Sequence, residues 1–418
     1  MSECPVSGDH NIPNLYNPLS HEQSQNPFDI YKKIRDEQPV FFSPVYQMWI
    51  VSRYQDVVQV LKDTETFSSI GIITVNRDNL PPEVVSELDK GYPQIPGMTD
   101  NDPPYHDRIR SLVGKAFSQR IVTAMEPHIR SIANGMLDVF HADGQADILE
   151  QYAFTFPLIV IGDVLGVDRE HLANLKQWSD DWVALLAAPL TLEQQLECAR
   201  GFVAFQHFYY NLIEEKRRNP QQDLISHMIH ARQEGWEPLT TLEMVNVCMS
   251  ATWAGHQTVT SNICNMLHVI LSDDELKRQV STDRKALEKV LEETLRIQSP
   301  LQSMMRFTRK EASVGGVTIP AGAPVQVLFG SANHDESVFK CPMSFDSERE
   351  GLLNKHMAFG RGVHYCLGSQ LARLEGVVAI EVLLERCRNL SLEPGFKLEY
   401  LPNFLYRAMK SLNVVWDA

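Results

Sequence analysis

Positions 359–368 constrain this chain more than any other segment. They read Phe-Gly-Arg-Gly-Val-His-Tyr-Cys-Leu-Gly and place Cys366 directly after a turn with two glycines. Gly360 and Gly362 lack a β-carbon, so the backbone there can adopt conformations closed to other residues and can approach a bound group closely. The next segment has apolar residues at helical spacing, namely Leu371, Leu374, Val377, Val378, Leu383 and Leu384. A helix over 367–384 would set Cys366 against the positive end of its dipole, which favours the thiolate over the thiol.

Other interpretations of this segment explain less. A single cysteine is most often a small buried apolar residue, but such a cysteine needs no glycine-shaped frame. A dinucleotide-binding Gly-x-Gly-x-x-Gly turn would need glycine where Tyr365 stands. The segment matches Phe-Gly-x-Gly-x-His-x-Cys-x-Gly at every fixed position, and it resembles the haem-binding loop of the cytochrome P450 superfamily.

The resemblance implies a haem b cofactor whose iron is ligated by the thiolate of Cys366. It also implies the cytochrome P450 fold, which is mainly α with small β-sheets and holds haem between a long distal helix and the cysteine-bearing proximal helix. Further haem contacts in the loop are implied for Phe359, His364 and Gly368. The implied reaction is reductive activation of dioxygen and insertion of one oxygen atom into a C–H bond.

A charged helical stretch at 283–297 contains Glu293 and Arg296, which match the family's Glu-x-x-Arg element. At this spacing the two side chains share one helix face. Taken alone, such a pair is more often an ordinary surface ion pair. Arg349 precedes the cysteine loop where the family has a second arginine, so the resemblance implies a buried network of Glu293, Arg296 and Arg349.

A further set of residues is implied to bind the haem propionates. His106 and Arg110 lie in a segment that resembles the family's helix over one haem edge, and their spacing of four places them on one face. Arg306 and His364 match two other propionate-binding positions. Two carboxylates at the edge of an apolar disc call for such charge-assisted donors. Each residue alone could be a solvated surface charge, but their joint order favours haem binding.

The apolar run at 240–271 predicts a helix of roughly 30 residues, about 45 Å long at about 1.5 Å per residue. Thr240 and Glu243 have the spacing of a capping box at its start. A helix of this length spans a domain.

The middle of this helix reads Ala-Gly-His-Gln-Thr at 254–258 and resembles the family's oxygen-binding groove. The small residues Ala254 and Gly255 would let the helix backbone pass close to the haem face. Thr258 would donate a hydrogen bond to dioxygen or to its protonating water. The alternative is that Thr258 bonds only its own backbone, as mid-helix threonines often do.

Gln257 departs from the family, in which an aspartate or glutamate usually precedes the threonine. An amide donates and accepts hydrogen bonds but cannot titrate. Three hypotheses follow: slower or rerouted proton delivery through water or His256, preferential use of peroxide, and chemistry that needs no dioxygen activation.

By position against the family, a mostly apolar set of residues should line the distal substrate pocket: Ser250, Trp253, Ala254, Gln302, Met304, Leu405 and Tyr406. This set predicts a small to medium apolar organic substrate. Trp253 is bulky for its place and favours a compact or flat substrate with one polar group. It could instead be a core tryptophan turned away from the haem.

The composition is consistent with a small-molecule enzyme. A net charge of −15 and a pI near 5.4 argue against a nucleic-acid partner. The first forty or so residues are polar and proline-bearing, without a membrane span or signal-peptide pattern. The 7 cysteines are odd in number and scattered, which is typical of a reducing compartment. We therefore expect a cytoplasmic protein that does not bind a membrane.

By length the chain could hold two or three domains, but the matched elements interleave, and we expect one haem-thiolate monooxygenase domain over 1–418. No segment remains for a flavin or iron–sulfur module, so electrons should come from separate proteins, a ferredoxin and its reductase. Basic residues that could dock an acidic partner, or could equally be solvated charges, are Arg108, Lys115, Lys355, Arg361 and Arg373.

Most of the chain reads as helix, with β-like runs at 40–51, 312–327 and 401–416. The proline-punctuated segment at 71–104 reads as a long irregular loop, and such loops are often lids. Two helices should meet at a break around 187–190. Both segments are candidate gates for substrate, or plain surface loops.

Two alternatives to a dioxygen-dependent monooxygenase differ in kind. A haem-based sensor or carrier would need a regulatory domain or an exchangeable ligand, and no such domain is visible in the sequence. A peroxide-driven or dioxygen-independent haem-thiolate enzyme is the runner-up, favoured only by Gln257.

Overall fold

The computed structural model describes residues 11–187 and 190–418. Over these residues the helices are α1 (Ile12–Leu15), α2 (His21–Gln25), α3 (Phe28–Glu37), α4 (Tyr54–Lys62), α5 (Pro82–Leu88), α6 (Tyr105–Gly114), α7 (Gln119–Ala124), α8 (Glu126–Phe140), α9 (Thr155–Leu165), α10 (Leu172–Ala187), α11 (Leu192–Arg218), α12 (Leu224–His230), α13 (Thr241–Leu271), α14 (Asp274–Val280), α15 (Arg284–Ile297), α16 (Phe329–Ala332) and α17 (Ser369–Arg386).

The strands are β1 (Val40–Ser43), β2 (Met48–Val51), β3 (Phe67–Ser68), β4 (Gln145–Asp147), β5 (Ser303–Thr308), β6 (Ala312–Val314), β7 (Val317–Ile319), β8 (Pro324–Leu328), β9 (Arg388–Leu392) and β10 (Asn413–Asp417). They form a five-stranded, a three-stranded and a two-stranded sheet. The predicted mainly α fold with small sheets is confirmed.

The chain divides into two compact units, and neither is continuous in sequence. The described part of unit 1 comprises residues 11–68, 268–366 and 395–411. That of unit 2 comprises residues 69–187, 190–267, 367–394 and 412–418. The expectation of a single catalytic domain over the whole chain stays a prediction.

Unit 1 is built on the five-stranded sheet, ordered β1-β2-β8-β5-β3. Strand β8 is central, and its residues from Val325 to Leu328 are all buried because neighbouring structure covers both faces. The β6–β7 hairpin turns at Gly315 and Gly316, which both have positive φ as a tight two-residue hairpin requires. This sheet carries β5, the strand that holds Arg306 and Met304.

Unit 2 holds most of the long helices and the three-stranded sheet β4-β10-β9. Helix α13 begins with the predicted capping box: the Glu243 N–H donates to the Thr240 hydroxyl at 3.3 Å, and the Thr240 N–H donates to the Glu243 carboxylate at 2.7 Å. Helix α11 begins with a second capping box from Thr191 and Gln194. These caps satisfy N–H groups that a helix start leaves without intrahelical partners.

Three sequence-based boundaries were wrong. The segment at 71–104 contains helix α5, because Pro81 and Pro82 stand at its N-cap and first position, where proline is tolerated. Helix α17 begins at Ser369 rather than at 367, with Gly368 as its N-cap. The β-like run at 401–416 is a strand only over β10.

The predicted helix break at 187–190 falls partly outside the described residues, which omit 188 and 189; α10 ends at Ala187 and α11 begins at Leu192. Within the described part of the chain, no helix is both long and apolar enough to cross a bilayer.

Candidate active site

The cysteine loop in unit 1 is fixed by backbone hydrogen bonds. The Cys366 N–H donates to the Phe359 carbonyl at 2.9 Å, and the Gly360 N–H donates to the Met357 carbonyl at 2.9 Å. Gly360 and Gly362 have φ values of +68° and +72°, a left-handed conformation that favours glycine. These hydrogen bonds and the two left-handed glycines therefore fix the position of the Cys366 backbone.

A close approach explains Gly362 further. A β-carbon there would lie 2.7 Å from the Leu61 carbonyl oxygen, which ordinary van der Waals contact does not allow. The loop and the end of α4 in unit 1 thus meet backbone to backbone, and only glycine fits.

Cys366 is exposed, whereas Cys198, Cys248, Cys264 and Cys387 are buried. Its environment is therefore not that of a cysteine packed as a small apolar residue. The described residues contain no cluster of three or more His, Cys, Asp or Glu side chains that could hold a metal ion. A metal at Cys366 would have a single protein ligand, and this fits haem, whose macrocycle supplies the equatorial donors.

The four residues expected to bind propionates lie two in each unit. In unit 1, Arg306 on β5 is 4% exposed and donates through Nη1 to the Met305 carbonyl at 2.7 Å, and His364 ends a 3₁₀ turn at Gly362–His364. In unit 2, His106 and Arg110 lie one turn apart on α6. These cationic or N–H donor groups suit carboxylate ligands.

His106 is buried, and burial lowers the pKa of its imidazole below the ordinary value despite a 2.8 Å hydrogen bond from Nδ1 to the Asp107 carboxylate. The imidazole is therefore mainly neutral at pH 7, and its single N–H, at Nδ1, is the one donated to Asp107. Nε2 can donate to a propionate only when the ring is protonated there as well.

The middle of α13 in unit 2 carries the predicted oxygen groove. Ala254 is exposed and Thr258 is half-buried, although the helix on either side of this stretch, at 243–250 and 259–267, is buried. The Thr258 hydroxyl donates to the Ala254 carbonyl at 2.9 Å. Gly255 packs closely on α9, where an added β-carbon would lie 3.2 Å from Ile161 Cγ1. The hydroxyl thus bonds its own helix here, and its role toward dioxygen stays a prediction.

Gln257 is half-buried, next to His256. The His256 imidazole is buried and donates through Nε2 to the Phe154 carbonyl at 2.8 Å. Burial lowers the pKa of His256 to about 4, so the ring is neutral at pH 7. A neutral imidazole whose N–H is already engaged gives no support to the hypothesis of proton delivery through His256.

The expected pocket residues of unit 1 fall into two groups. Met304 and Leu405 are partly exposed. Gln302 is buried, and its amide is engaged: Nε2 donates to the Ser299 carbonyl at 2.7 Å, and Oε1 accepts from the Tyr31 hydroxyl at 3.1 Å. The remaining residue, Tyr406, is also buried.

The expected pocket residues of unit 2 are Ser250, Trp253 and Ala254, and all three lie on α13. Ser250 is buried and donates to the Asn246 side-chain oxygen at 3.3 Å. Trp253 is half-buried and packs edge-on against Trp182, with ring centroids 5.9 Å apart. Trp253 therefore packs against α10, and its contact with Trp182 restricts the position of its ring.

The charged network in unit 1 is a compact buried cluster. Arg296 donates two hydrogen bonds to Glu293 and further ones to the Asn333 and Pro342 carbonyls at 2.8 Å each. Arg349 donates through Nε to Glu293 at 3.4 Å. The structure brings all three predicted residues together, and Arg349 thereby joins α15 to the segment that precedes the cysteine loop.

Sequence reasoning missed two amides that fix the proline-rich segment in unit 2. Gln206 on α11 bonds the Tyr92 backbone twice, accepting from N–H and donating to C=O at 3.0 Å each. Asn246 on α13 donates to the Ile95 carbonyl at 3.0 Å. The only sequence signal was a polar residue on an otherwise apolar helix face, which names no partner.

Arg108 is one of the basic residues that could dock an acidic partner, but its guanidinium pairs with buried Glu243 and donates to the Glu237 carbonyl at 3.0 Å. The same carboxylate accepts from the Tyr105 hydroxyl. These contacts join α6 to the start of α13, so Arg108 is a structural residue.

Comparison with known proteins shows the family of this chain. The cytochrome P450 family model matches residues 6–398. A cytochrome P450 of Bacillus subtilis (strain 168) is 32% identical over 394 residues, which is 93% of this chain and 93% of the relative. The vitamin D(3) 25-hydroxylase of Pseudonocardia autotrophica is 32% identical over 395 residues, covering 93% of this chain and 94% of that protein.

Among solved structures, cytochrome P450 CREJ in complex with (4-ethylphenyl) dihydrogen phosphate has a TM-score of 0.89 at 30% identity, covering 96% of this chain and 99% of that one. The chain belongs to the cytochrome P450 family. It is a haem-thiolate monooxygenase and therefore an oxidoreductase.

Proposed function

We propose that this protein uses dioxygen to insert one oxygen atom into a small to medium apolar organic substrate, with electrons from a separate ferredoxin and its reductase. The observation that carries the proposal is the exposed Cys366 side chain, held by its own backbone in a loop that fits a single thiolate ligand. Haem b, when bound, supplies the redox-active iron for dioxygen chemistry, and the electron-rich sulfur favours O–O cleavage.

The chain's own residues would bind the cofactor and donate a hydrogen bond on its distal side. When haem is bound, Cys366 would supply the thiolate ligand of the iron. Arg306 and His364 in unit 1 would each be donors to a propionate, and so would His106 and Arg110 in unit 2. Thr258 can rotate its hydroxyl away from the Ala254 carbonyl, because a hydroxyl hydrogen turns to suit its partner. It then donates a hydrogen bond to dioxygen or to a protonating water.

The substrate class follows from the partly exposed pocket residues. Met304, Leu405 and Trp253 offer apolar and aromatic surface, and the contact with Trp182 limits how far Trp253 can move. A compact or flat apolar molecule with one polar group suits such apolar and aromatic surfaces. The Gln302 amide already bonds the Ser299 carbonyl and the Tyr31 hydroxyl, so it is less suited to pair with substrate.

The redox partner is proposed to be acidic and to dock on exposed basic side chains, of which Lys115 in unit 2 is one. Replacing Lys115 with Glu should raise the concentration of ferredoxin needed for half-maximal turnover. Lys285, exposed at the start of α15, is the matched control, and Lys285→Glu should leave that concentration unchanged. Equal effects of the two variants would contradict docking at Lys115.

A cytoplasmic location is part of the same proposal. The described cysteines form no disulfide, which suits a reducing compartment.

The test combines substrate screening with isotope labelling. Apolar compounds that perturb the visible spectrum of the ferric protein are incubated with ferredoxin, reductase and dioxygen labelled with oxygen-18. The proposal predicts a product that gains one labelled oxygen atom and forms only when the electron donors are present.

A second candidate function is favoured by Gln257, which cannot titrate as the usual acid does. In that case peroxide alone would support product formation faster than the ferredoxin-driven reaction. Unlabelled product, or product formed only with peroxide, would overturn the dioxygen-dependent proposal.

A further inference from the structure

Three threonine hydroxyls on α13 bond carbonyls of the same helix. Thr252 donates to the Cys248 carbonyl at 2.9 Å, Thr258 to the Ala254 carbonyl at 2.9 Å, and Thr260 to the His256 carbonyl at 3.1 Å. Such hydroxyls share carbonyls with the regular helix ladder and often bend or slightly destabilise a helix. The stretch at 252–260, which carries the predicted oxygen groove, should therefore be stabilised by a hydrogen bond to a residue outside the helix.

His256 provides such a hydrogen bond. Its Nε2–H reaches the Phe154 carbonyl, and its ring stands edge-on to the Phe154 ring with centroids 4.7 Å apart at 86°. Phe154 closes the π-turn at Leu149–Ala153, since its N–H donates to the Leu149 carbonyl at 2.9 Å, and it is also the N-cap of α9. Phe154 is thus itself fixed at the junction of two helical segments.

His256 lies on the side of α13 opposite to Ala254 and Thr258. Residues advance by about 100° per position around an α-helix, so residue 256 lies about 200° from residues 254 and 258. The burial agrees with this, because His256 is 5% exposed while Ala254 is exposed. A bond on one side of the helix therefore sets the rotation of the side that presents Ala254 and Thr258.

We propose that His256 is a positioning residue: its hydrogen bond to the Phe154 carbonyl fixes the rotation and rigidity of the α13 turn that presents Thr258 and Gln257. It is not the proton relay. The inference deepens the proposed function and rests on it for the catalytic readout, but the exchange readout described below does not depend on that function.

Gly255 supports the same arrangement. It meets Ile161 on α9 so closely that a β-carbon would need its neighbour to shift. Gly255 and His256 thus both contact α9 or its N-cap residue, and this turn of α13 packs closely on α9. Because the ring is neutral at pH 7, it has a single N–H, and the 2.8 Å contact of Nε2 with the Phe154 carbonyl places that N–H on Nε2.

Two substitutions separate the hydrogen bond from the ring. His256→Phe keeps an aromatic ring against Phe154 and removes the N–H donor, whereas His256→Gln keeps an N–H donor of similar reach and removes the ring. A matched control is His334→Phe in unit 1: His334 is also buried and also donates to a carbonyl, through Nδ1 to Gly330 at 2.8 Å. All variants are prepared as haem-loaded protein and compared at equal haem content.

The first readout is amide hydrogen exchange of the peptide that spans 250–262. His256→Phe should speed exchange there by roughly two- to tenfold, the range that corresponds to one net hydrogen bond. His256→Gln should exchange at close to the native rate, and His334→Phe should leave this peptide unchanged.

The second readout is the yield of product per pair of electrons consumed. His256→Phe should lower this yield severalfold with substrate affinity unchanged, and His256→Gln should restore it. Native exchange in His256→Phe, or equal losses in His256→Phe and His256→Gln, would overturn the proposal. Altered exchange with no monooxygenation in any variant, including the native protein, would instead count against the proposed function.

Discussion

The guanidinium of Arg296 donates to both oxygens of the Glu293 carboxylate, Nε to Oε2 at 2.8 Å and Nη2 to Oε1 at 2.7 Å, and neither side chain is exposed. Replacing Glu293 with Gln would leave the buried guanidinium without its counter-charge. We expect the free energy of unfolding to fall by about 3–5 kcal/mol. Urea denaturation of the haem-loaded protein measures the change.

The control for this prediction is Glu275→Gln. Glu275 pairs with Arg278 on the surface, where solvent screens the interaction. We expect no measurable change in that variant. A Glu293→Gln protein that unfolds at the native urea concentration would show that the buried pair contributes little.

Gln257→Glu should restore a titratable group beside Thr258. If proton delivery limits the native enzyme, the yield of product per electron pair should rise, and the rate should increase by up to about 10²-fold, within the range for a positioned acid or base. Paired measurements of electron-donor consumption and product formation test this. Unchanged yield and rate would show that protons arrive by a route independent of residue 257.

Gly166 ends α9 with a φ of +72° and lies against a buried ion pair. A β-carbon at this position would come within 2.5 Å of Lys216 Nζ and 2.6 Å of Asp223 Cγ. Gly166→Ala should therefore lower the free energy of unfolding by about 3 kcal/mol, from backbone strain and displacement of the pair. Thermal unfolding followed by circular dichroism measures it.

Gly235 is the matched control for that substitution. It has a φ of +80°, but a β-carbon added there would meet no other atom within 4 Å. Gly235→Ala should cost only the strain of the left-handed backbone, about 1–2 kcal/mol. Equal losses in the free energy of unfolding at the two positions would show that the Lys216–Asp223 pair can move aside without destabilising the protein.

Glu375 on α17 is buried, and its Oε2 has no hydrogen-bond partner among the described groups. Burial raises the pKa of its carboxyl well above the ordinary value, so the folded protein keeps the proton that the unfolded chain loses above about pH 4.3. The native free energy of unfolding therefore falls by about 1.4 kcal/mol per pH unit between the unfolded and folded pKa values.

Glu375→Gln removes this pH-dependent loss. Its stability relative to the native protein should rise as the pH is raised above the unfolded pKa of about 4.3, measured by urea denaturation at each pH. Glu83→Gln, on the exposed part of α5, should show no such trend. A difference between Glu375→Gln and the native protein that stays constant with pH would contradict a protonated buried carboxyl.

The sequence predicted features that depend on local spacing. The capping box of Thr240 and Glu243 is present because both partners lie within one helical turn, and the Glu293–Arg296 contact follows from the same periodicity. Composition and pattern also predicted the mainly α class. Such features need no knowledge of what packs against the helix.

The sequence could not predict contacts whose partners are distant along the chain. Gln206 reads as an ordinary helical glutamine, yet it fixes the Tyr92 backbone more than a hundred positions away. His256 reads as part of the oxygen groove, but its ring faces Phe154, and only the packing of α13 on α9 reveals this. Prolines suggested an irregular loop at 71–104, although at the first positions of α5 they are compatible with a helix.

The most direct test of the account is the identity of the iron ligand. The reduced, carbon monoxide-treated native protein should show the long-wavelength Soret band of thiolate-ligated haem, and Cys366→His should shift this band to shorter wavelength and abolish monooxygenation. Cys341→Ser, which changes another exposed cysteine, should retain the native spectrum. A native spectrum that Cys366→His leaves unchanged would contradict the central claim that Cys366 binds the haem iron.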